Sequence, residues 1–414
     1  MKDSGIEWIG AIPRDWYKIK FKYVFDYQKG KKPKLYDEVK ENVYPYISMD
    51  VQRNEVNKYQ FAKDDVGILG EQGNICVLWD GSNAGEFYKL RIQGIISSTS
   101  AIILSDTLNP TIDEDFLFYY LKYYETELKS NSIGMGIPHV DSLKLKNDVL
   151  IHPALNEQKR IVLVLDNKTK KIEEIKLKTE QSIVELKKYR QSLITEFVTK
   201  GLDPNVEFKD SKIGWIDKTP KHWQERKLKY IFNIIDERNS DTEAELLSLY
   251  TSIGVKPRSE LEDRGNKAQT VINYKIVKKN DLVVNRLLAW MGAVAFSDYD
   301  GVTSPDYDVY RINNTEIANK SYFNYFFRYT NFKEDCYRVG RGIMLMRWRT
   351  YPEQLLKILV PLPPLKEQQQ IVSYLDEKVS RIDKLIEDKT KVIEELENYK
   401  KSLIYEYVTG KKEV

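Results

Sequence analysis

The chain carries the same sequence frame twice. Residues 3–25 read DSGIEWIGAIPRDWYKIKFKYVF and residues 210–232 read DSKIGWIDKTPKHWQERKLKYIF. A second block, NEQKRIVLVLDNKTKKIEEI from Asn156, matches KEQQQIVSYLDEKVSRIDKL from Lys366, and YRQSLITEFVT from Tyr189 matches YKKSLIYEYVT from Tyr399. A period of this length predicts two duplicated domains rather than a solenoid of short repeats.

The two segments between the matched blocks differ from each other. Residues 26–150 and 233–358 contain short apolar runs, among them NICVLW, AIIL, DLVVN and AVAF, which are interrupted by Gly, Asn, Asp and Ser. This pattern predicts strands joined by turns. We call the matched blocks the frame and the two differing segments, residues 26–150 and 233–358, the inserts. A shared frame with divergent inserts is typical of two domains that have the same kind of function but act on two different targets. Neutral drift in loops is the alternative explanation.

The second matched block predicts one long helix in each repeat. The helices begin after Pro153 and Pro364 and end before Gly201 and Gly410, which are ordinary start and stop signals. Coiled-coil spacing selects the predicted seam positions Ile161, Leu165, Lys168, Ile172, Ile175, Thr179, Ser182, Leu186, Tyr189 and Leu193 in the first helix. In the second helix it selects Ile371, Leu375, Ile382, Leu385, Val392, Leu396, Tyr399 and Leu403. Pseudo-twofold symmetry predicts that the two helices pair in antiparallel order.

Composition limits the class of protein. The 414 residues and 42% hydrophobic content suffice for at least two domain cores. Because 65 Lys and Arg nearly balance 62 Asp and Glu, any basic surface must be local. The two cysteines are far apart, and the sequence has no apolar run of membrane-spanning length. These features predict a cytoplasmic protein with no membrane partner.

Several stretches together resemble the specificity subunits of type I restriction-modification systems. They are GIEWIGAIPRDW and its copy GWIDKTPKHW, the helix entries PALNEQKRIV and PLPPLKEQQQIV, and the junction SLITEFVTKGLDPNVEFKDS. The resemblance spans the whole chain. It implies an α+β fold with two mixed α/β target recognition domains, residues 1–152 and 208–360. These alternate with two conserved helical spacers, residues 153–207 and 361–414, and two long antiparallel coiled-coil helices join the domains.

The resemblance also implies function and partners. Each recognition domain in that family reads one half of a bipartite double-stranded DNA site. The partners implied are two methylating subunits that use S-adenosylmethionine to modify adenine and two motor-nuclease subunits that use ATP and Mg. The chain itself is then expected to bind no cofactor and to be no enzyme.

The residues themselves also argue against catalysis. The only Pro pair, Pro363–Pro364, lacks the preceding Asp or Asn and the following aromatic that an adenine methyltransferase uses, and no GxxxxGK[ST] phosphate loop occurs. His139, His152 and His222 have no metal-ligand spacing, so no metal site is expected. Two alternatives remain open at this point: a coiled-coil scaffold for other proteins, and a self-sufficient methyltransferase or nuclease.

Polar loops in the inserts supply the candidate DNA contacts, because Arg and Lys bind guanine edges and phosphates, whereas Asn, Gln and hydroxyl side chains bind other base edges. GEQGN in the first insert and NRLLAWMG in the second are predicted to be equivalent reading loops, and Arg286 is expected to contact a base edge. The candidates in the first insert are Lys29, Lys31, Lys32, Gln72, Asn74, Ser97, Ser98, Thr99 and Ser100. Those in the second are Arg238, Asn239, Lys256, Arg258, Asn285, Arg286, Thr303, Ser304, Arg338 and Arg341.

Overall fold

A computed structural model describes residues 1–39, 41–55, 58–64, 67–130, 138–260, 270–344 and 347–414. Its contacts divide the chain into two compact units. Unit 1 comprises Met1–Thr179 together with Lys391–Val414, and unit 2 comprises Glu180–Thr390. Each unit therefore contains one insert and a part of both long helices.

Unit 1 has the following elements in chain order. They are β1 Lys2–Asp3, β2 Ala11–Ile12, β3 Tyr17–Lys20, β4 Tyr27–Lys29, β5 Val43–Ile47, α1 Met49–Gln52, β6 Phe61–Lys63, β7 Leu69–Gly70, β8 Ile75–Leu78, β9 Phe87–Lys89, β10 Gly94–Ile96, β11 Ser100–Ile103, α2 Glu114–Ser130, α3 Ser142–Asn147, β12 Val149–His152 and the first part of α4 Leu155–Lys200.

Unit 2 repeats this plan. Its elements are β13 Phe208–Asp210, β14 Lys218–Pro220, β15 Gln224–Lys227, β16 Phe232–Ile235, β17 Leu247–Tyr250, β18 Gly254–Pro257, β19 Lys275–Val277, β20 Leu282–Asn285, β21 Val294–Phe296, β22 Gly301–Thr303, β23 Tyr307–Ile312, α5 Lys320–Tyr329, α6 Phe332–Val339, α7 Pro352–Leu355, β24 Leu359–Leu362 and the first part of α8 Leu365–Val408.

The divergent inserts contain the same central sheet. Its antiparallel strands follow the order β4-β11-β8-β9 in unit 1 and β16-β23-β20-β21 in unit 2. In register, Ser100 pairs with Leu78 and Tyr307 pairs with Asn285, so these two pairs are structurally equivalent. Strands β8 and β20 are buried along their whole length, which agrees with the continuous apolar runs that predicted them. The mixed α/β character expected of the two domains is confirmed.

Helix α2 in unit 1 and helix α5 in unit 2 each pack on the central sheet, and they have equivalent N-caps and buried faces. Helix α2 begins at an N-cap, Asp113, whose Oδ1 accepts from Phe116 N at 3.1 Å. Helix α5 begins at Asn319, whose Oδ1 accepts from Tyr322 N at 3.1 Å. Short polar side chains stabilise a helix start in this way. Both helices bury a stripe of large side chains at the 3-and-4 spacing of an amphipathic helix.

In unit 1 the start of α4 packs against the end of α8. Lys176 forms an ion pair with Glu397, and Lys400 forms one with Glu173 at 2.5 Å. The partner number falls as the α4 number rises, so the two segments run antiparallel. Residues 161–172 of α4 and residues 403–408 of α8 contribute to the same hydrophobic core.

In unit 2 the end of α4 lies beside the start of α8. The Tyr322 hydroxyl donates to Val198 O at 2.8 Å, near the end of α4, and is 3.5 Å from Pro361 O in the strand that leads into α8. Arg190 forms an ion pair with Asp383 between the two helices. This segment is also antiparallel, and the expected helix order is confirmed within both units.

The predicted seam is wrong at several positions. Ile175 and Tyr189 are exposed, and so are Leu385, Val392 and Tyr399 on α8. Lys176 and Arg190 occupy the inter-helix positions instead, because steps of three and of four residues both return to the same helix face. Their aliphatic stems lie along the partner helix while their charged ends pair with carboxylates.

Residues near the two ends of the chain meet in unit 1. The Lys411 ammonium donates to Ala11 O, and the Tyr405 hydroxyl donates to Ile9 O at 3.4 Å. Gly410 takes φ +68°, and a Cβ there would approach the Pro13 ring to 2.5 Å, so glycine suits this helix end on both counts. The segment that precedes β3 is therefore in contact with the end of α8 and the residues that follow it, within unit 1.

A buried glutamine stabilises the start of each long helix. Gln368 accepts from Asn319 N at 2.8 Å and donates to Ile317 O and Pro363 O, each at 2.8 Å. Gln158 makes the matching three bonds to Asp113 N, Thr111 O and Pro153 O. Both side chains are fully buried. Each glutamine thus joins the loop before the sheet-packing helix to the loop before the long helix.

Replacing Gln368 by alanine is expected to lower the free energy of unfolding of unit 2 by about 3 kcal/mol, because three buried polar groups lose their partner. Gln370 lies two residues further on the same helix and is exposed, so Gln370→Ala is the matched control and should change stability by less than about 0.5 kcal/mol. Urea unfolding of the full chain measures both. Equal losses for the two variants would contradict the role assigned to Gln368.

None of the helices in the described ranges is both long and apolar enough to cross a bilayer.

Candidate nucleic-acid interface

In unit 1 the predicted polar loops meet at one edge of the central sheet. Strand β8 ends at this edge, β11 begins there, and β4 ends there at Lys29. The Lys29 ammonium lies 2.7 Å from Asp80 Oδ2, and Trp79 N donates to Thr99 O at 2.7 Å. A Cβ on Gly30 would come within 2.1 Å of Ser97 O, so the backbone of residues 30–32 rests directly on the serine-rich turn.

Several polar side chains at this edge face outward. Ser98 is half-buried, and its N donates to the Tyr46 hydroxyl at 3.2 Å. Thr99, Lys31 and Lys32 are exposed. Ser97 and Ser100 are buried, and their hydroxyls bond to Thr99 and Tyr88 respectively. The side chains of the turn that reach solvent are therefore those of Ser98 and Thr99, and the Thr99 hydroxyl also bonds to that of Ser97. We call the group Lys29, Lys31, Lys32, Asp80, Ser98 and Thr99 the unit 1 edge.

Unit 2 has a charged network at the equivalent edge. Asp308, which is fully buried, accepts two bonds from Arg286, Nε to Oδ2 at 2.8 Å and Nη2 to Oδ1 at 2.6 Å. The buried Lys275 ammonium donates to the same Oδ1 at 2.8 Å and lies 3.7 Å from Asp236. Asp236 in turn accepts from Arg238 at 2.6 Å.

This network fixes the direction of the Arg286 side chain. Hydrogen bonding to Asp308 raises the pKa of the Arg286 guanidinium, against the opposing effect of partial burial. Thr350 N donates to Arg286 O at 2.9 Å and anchors the turn. A bidentate carboxylate holds a guanidinium in a defined plane. We call the group Arg238, Lys275, Arg286, Ser304 and Asp308 the unit 2 edge.

The predicted equivalence of GEQGN and NRLLAWMG is wrong. Asn74 precedes β8, whereas Asn285 ends β20, so the two loops lie at opposite ends of equivalent strands. The apolar residues before GEQGN form the two-residue strand β7 in the neighbouring sheet. The register makes Trp79 the counterpart of Arg286. Asn74 instead shapes its own turn, since its Oδ1 accepts from Glu71 N at 2.8 Å, and Gln72 is exposed beside it.

The remaining candidates lie elsewhere or have internal partners. Asn285 and Thr303 are buried; Asn285 accepts from Leu287 N and Thr303 donates to Leu247 O. Lys256 donates to the Tyr299 hydroxyl at 2.8 Å, which raises the pKa of Lys256. Arg338 packs on Gly214 and pairs with Asp335. Arg341 forms a backbone bridge with Arg349, the residue before Thr350, which bonds to the main chain of Arg286.

Two further candidates sit close to the edge. Arg258 follows β18 and interacts electrostatically with Tyr307, the first residue of β23. Asn239 is buried, and its amide bonds to Asp241 O and Val271 O. Arg258 therefore borders the unit 2 edge, whereas Asn239 shapes its own loop.

The sequence did not identify the acidic members of either edge. Asp80 and Asp308 each hold a cation that the sequence singled out, and Lys275 is an additional buried cation. Asp308 lies inside the TSPDYDVY stretch, yet nothing in its local pattern marks it as buried. Its partners are 22 and 33 residues away along the chain, so only the tertiary fold reveals the network.

The two edges have the chemistry of a binding surface. Over the described ranges, no group of three or more His, Cys, Asp or Glu side chains could hold a metal ion. Burial raises the pKa of Cys76 to about 12 and that of Cys336 further, so neither thiol is a reactive thiolate. Cations, hydroxyls and outward turns are suited to phosphate oxygens and base edges.

Comparison with known proteins shows the family. The family described as "Type I restriction modification DNA specificity domain" matches residues 13–184 and 220–397. The chain is 30% identical to the type I restriction enzyme MjaVIII specificity subunit of Methanocaldococcus jannaschii, over 97% of this chain and 93% of that relative. It is 20% identical to the EcoDI specificity subunit of Escherichia coli, over 97% and 89% respectively.

Solved structures share the fold. A chain from a structure concerning complex assembly and conformational transition of the type I R-M system matches with a TM-score of 0.69 at 16% identity, over 97% of this chain and 100% of that one. The HsdS subunit from Thermoanaerobacter tengcongensis matches with a TM-score of 0.50 at 15% identity, over the full length of both. With two matched domains, one in each repeat, the chain belongs to the family of type I restriction-modification specificity subunits.

Proposed function

We propose that this specificity subunit, itself not a catalyst, recognises a bipartite double-stranded DNA site. Each unit reads one half-site through the exposed edge of its central sheet. The observation that carries the proposal is the combination of one shared frame with two chemically different edges: lysines and hydroxyls in unit 1, and an arginine–aspartate network in unit 2. Two equivalent edges with different donors and acceptors are suited to two different base sequences.

The proposal includes the roles of individual residues. Arg286 and Arg258 in unit 2, and Ser98 and Thr99 in unit 1, are assigned to base edges. Lys29, Lys31, Lys32 and Arg238 are assigned to the adjoining phosphates, because cations at the rim of a groove fix the position of the duplex without reading it. The recognition domains correspond to residues 1–152 and 208–360, and the helical spacers set the distance between half-sites.

The partners proposed are two methylating subunits and two motor-nuclease subunits. S-adenosylmethionine, ATP and Mg would act in those partners. The relatives named above are subunits of restriction enzymes, and this supports an assembly with other subunits. A scaffold that reads no DNA would explain the long helices but gives no reason for two divergent edges on one frame.

The experiment that tests this proposal measures DNA affinity in the complex of the full chain with its methylating subunit. The probes are a duplex that carries the DNA sequence that the complex methylates, and variants of that duplex with single base changes. The wild-type complex is expected to discriminate at two separate blocks of bases. Arg286→Ala should lose about 1 to 3 kcal/mol of binding free energy and relax discrimination at one position in one block.

Arg338→Ala is the control, because Arg338 is exposed but packs on the frame. It should leave discrimination unchanged. Uniform weakening by Arg286→Ala on all duplexes would make Arg286 a phosphate contact. Absence of any sequence discrimination by the wild-type complex would contradict the proposed function itself.

A further inference from the structure

An exposed surface motif is identical in the two repeats. Lys20, Lys22 and Tyr23 in the first frame correspond to Lys227, Lys229 and Tyr230 in the second. All six side chains are exposed, and the two tyrosines keep 64% and 54% of their surface in solvent. Exposed large aromatic residues at matched positions are not explained by core packing.

The backbone presents both motifs in the same way. Each of the two strands, β3 and β15, ends in the first lysine of its motif and leads into a 3-10 turn, Phe21–Tyr23 or Leu228–Tyr230. The buried side chains of Phe21 and Leu228 anchor the turns. Phe21 N donates to Asp148 O at 2.9 Å, and Leu228 N donates to Ile358 O at 3.0 Å.

Within each motif the second lysine lies over the tyrosine ring. The Lys22 Nζ is 5.0 Å from the centroid of Tyr23, and the Lys229 Nζ is 4.8 Å from that of Tyr230. A cation over an aromatic face is weakly attracted to it when exposed to water. The stacking brings an ammonium and a phenol hydroxyl together on the same small surface in both units.

Other matched surface residues have internal functions that these lack. Lys2 and Lys209 each donate to the main-chain oxygen of the buried tryptophan of their frame, Trp16 or Trp223. Within the described ranges, by contrast, the lysines of the two motifs form no ion pair, and neither tyrosine hydroxyl has a hydrogen-bond partner. Their identity in the two repeats therefore points to a ligand that both units share.

We propose that these two motifs, Lys20-Lys22-Tyr23 and Lys227-Lys229-Tyr230, bind the sugar-phosphate backbone of DNA outside each half-site, because each motif lies just before β4 or β16 and each reading edge lies at the other end of those strands. This rests on the proposed function. The half-sites differ in sequence, but the backbone is the same at both, so a backbone contact is the part of a recognition domain that can stay constant while its reading edge diverges. Lysine ammonium and tyrosine hydroxyl groups donate to phosphate oxygens.

The charge of the motif favours DNA over a partner protein. Four lysines lie in the two motifs, and lysine is depleted at protein–protein interfaces but enriched at contacts with phosphate. Both motifs lie in the frame, which is the part that the two repeats share. A ligand that does not depend on base sequence fits this position better than a ligand that differs between the half-sites.

The test uses the full chain in complex with its methylating subunit and two duplexes, one with the recognised site and one scrambled. The variant Lys20→Ala/Lys22→Ala is compared with Lys159→Ala/Lys170→Ala. The latter removes the same charge at exposed positions of α4 whose counterparts, Gln369 and Ser380, are uncharged. Affinity is measured from 50 to 200 mM salt.

The motif variant is expected to weaken binding to both duplexes by the same factor, about tenfold at the lower salt concentrations. A plot of log affinity against log salt concentration should become less steep by about 1 to 2 for this variant, and the slope for the control variant should not change. Tyr23→Phe, which keeps the ring, should reproduce part of the loss.

Three results would decide against the inference. An unchanged salt slope would overturn it, and so would a loss confined to the recognised duplex. Intact DNA binding combined with failed assembly of the methylating subunit, measured by size-exclusion chromatography, would assign the motif to a protein contact. If the wild-type complex bound the recognised and scrambled duplexes equally, the proposed reading function would fail while the backbone contact could still hold.

Discussion

Asp308→Ala is expected to lower the free energy of unfolding of unit 2 by about 3 to 5 kcal/mol, because it removes the buried counter-ion of a buried cation and leaves only the exposed Asp236 carboxylate, 3.7 Å away. Lys275 retains only 2% of its side-chain surface in solvent, and its ammonium donates to Asp308. Arg286 loses the same partner but is partly exposed and can turn to water. Urea unfolding of the full chain, followed by a signal from unit 2, measures the effect.

The control for this prediction is Asp306→Ala. Asp306 lies two residues before Asp308 and is exposed, so its removal should change stability by less than about 0.5 kcal/mol. Replacing both members of the buried pair, in Lys275→Met/Asp308→Leu, should recover part of the loss, since apolar residues of similar volume replace a buried ion pair well. Equal stability of the Asp308 and Asp306 variants would show that the network does not stabilise the sheet edge.

Exchanging residues 26–150 for the insert of a related specificity subunit is expected to change one half of the recognised site completely and leave the other half and the spacing intact. The reason is that the insert supplies the unit 1 edge, whereas the frame and the long helices stay the same. Each mismatched base pair typically costs about 1 to 3 kcal/mol, so several altered positions abolish binding to the original half-site.

The reciprocal exchange of residues 233–358 is the matched control and should change only the other half. The recognised sequence of each chimera is determined by mapping methylated adenines. A chimera that folds but changes both halves, or the spacing, would contradict the division of labour between inserts and frame.

The sequence predicted the architecture because duplication made its signals redundant. Two copies of each helix pattern, with Pro before and Gly after, defined α4 and α8, and the apolar runs defined β8 and β20. The seam was harder to predict. An isolated helix pattern does not separate Ile175 from Lys176 as the inward residue, since the choice depends on Glu397 of the opposite helix.

The candidate site was predicted only in part. Lys29, Ser98, Thr99 and Arg286 lie at the sheet edges, as their positions beside strands indicated. Gln72 and Asn74 were misplaced because β7 has two residues and resembles the start of a longer strand. The acidic partners escape detection because the packing of β19 against β23 brings Asp308 to Lys275, and no local pattern encodes that contact.

The central claim is that one chain reads two different half-sites. The most direct measurement is genome-wide mapping of methylated adenines in cells that express the chain with its methylating subunit. The account predicts one bipartite motif, with two specified blocks separated by a spacer of constant length, and no methylation when the chain is omitted. A single continuous motif, or the same methylation pattern without this chain, would contradict it.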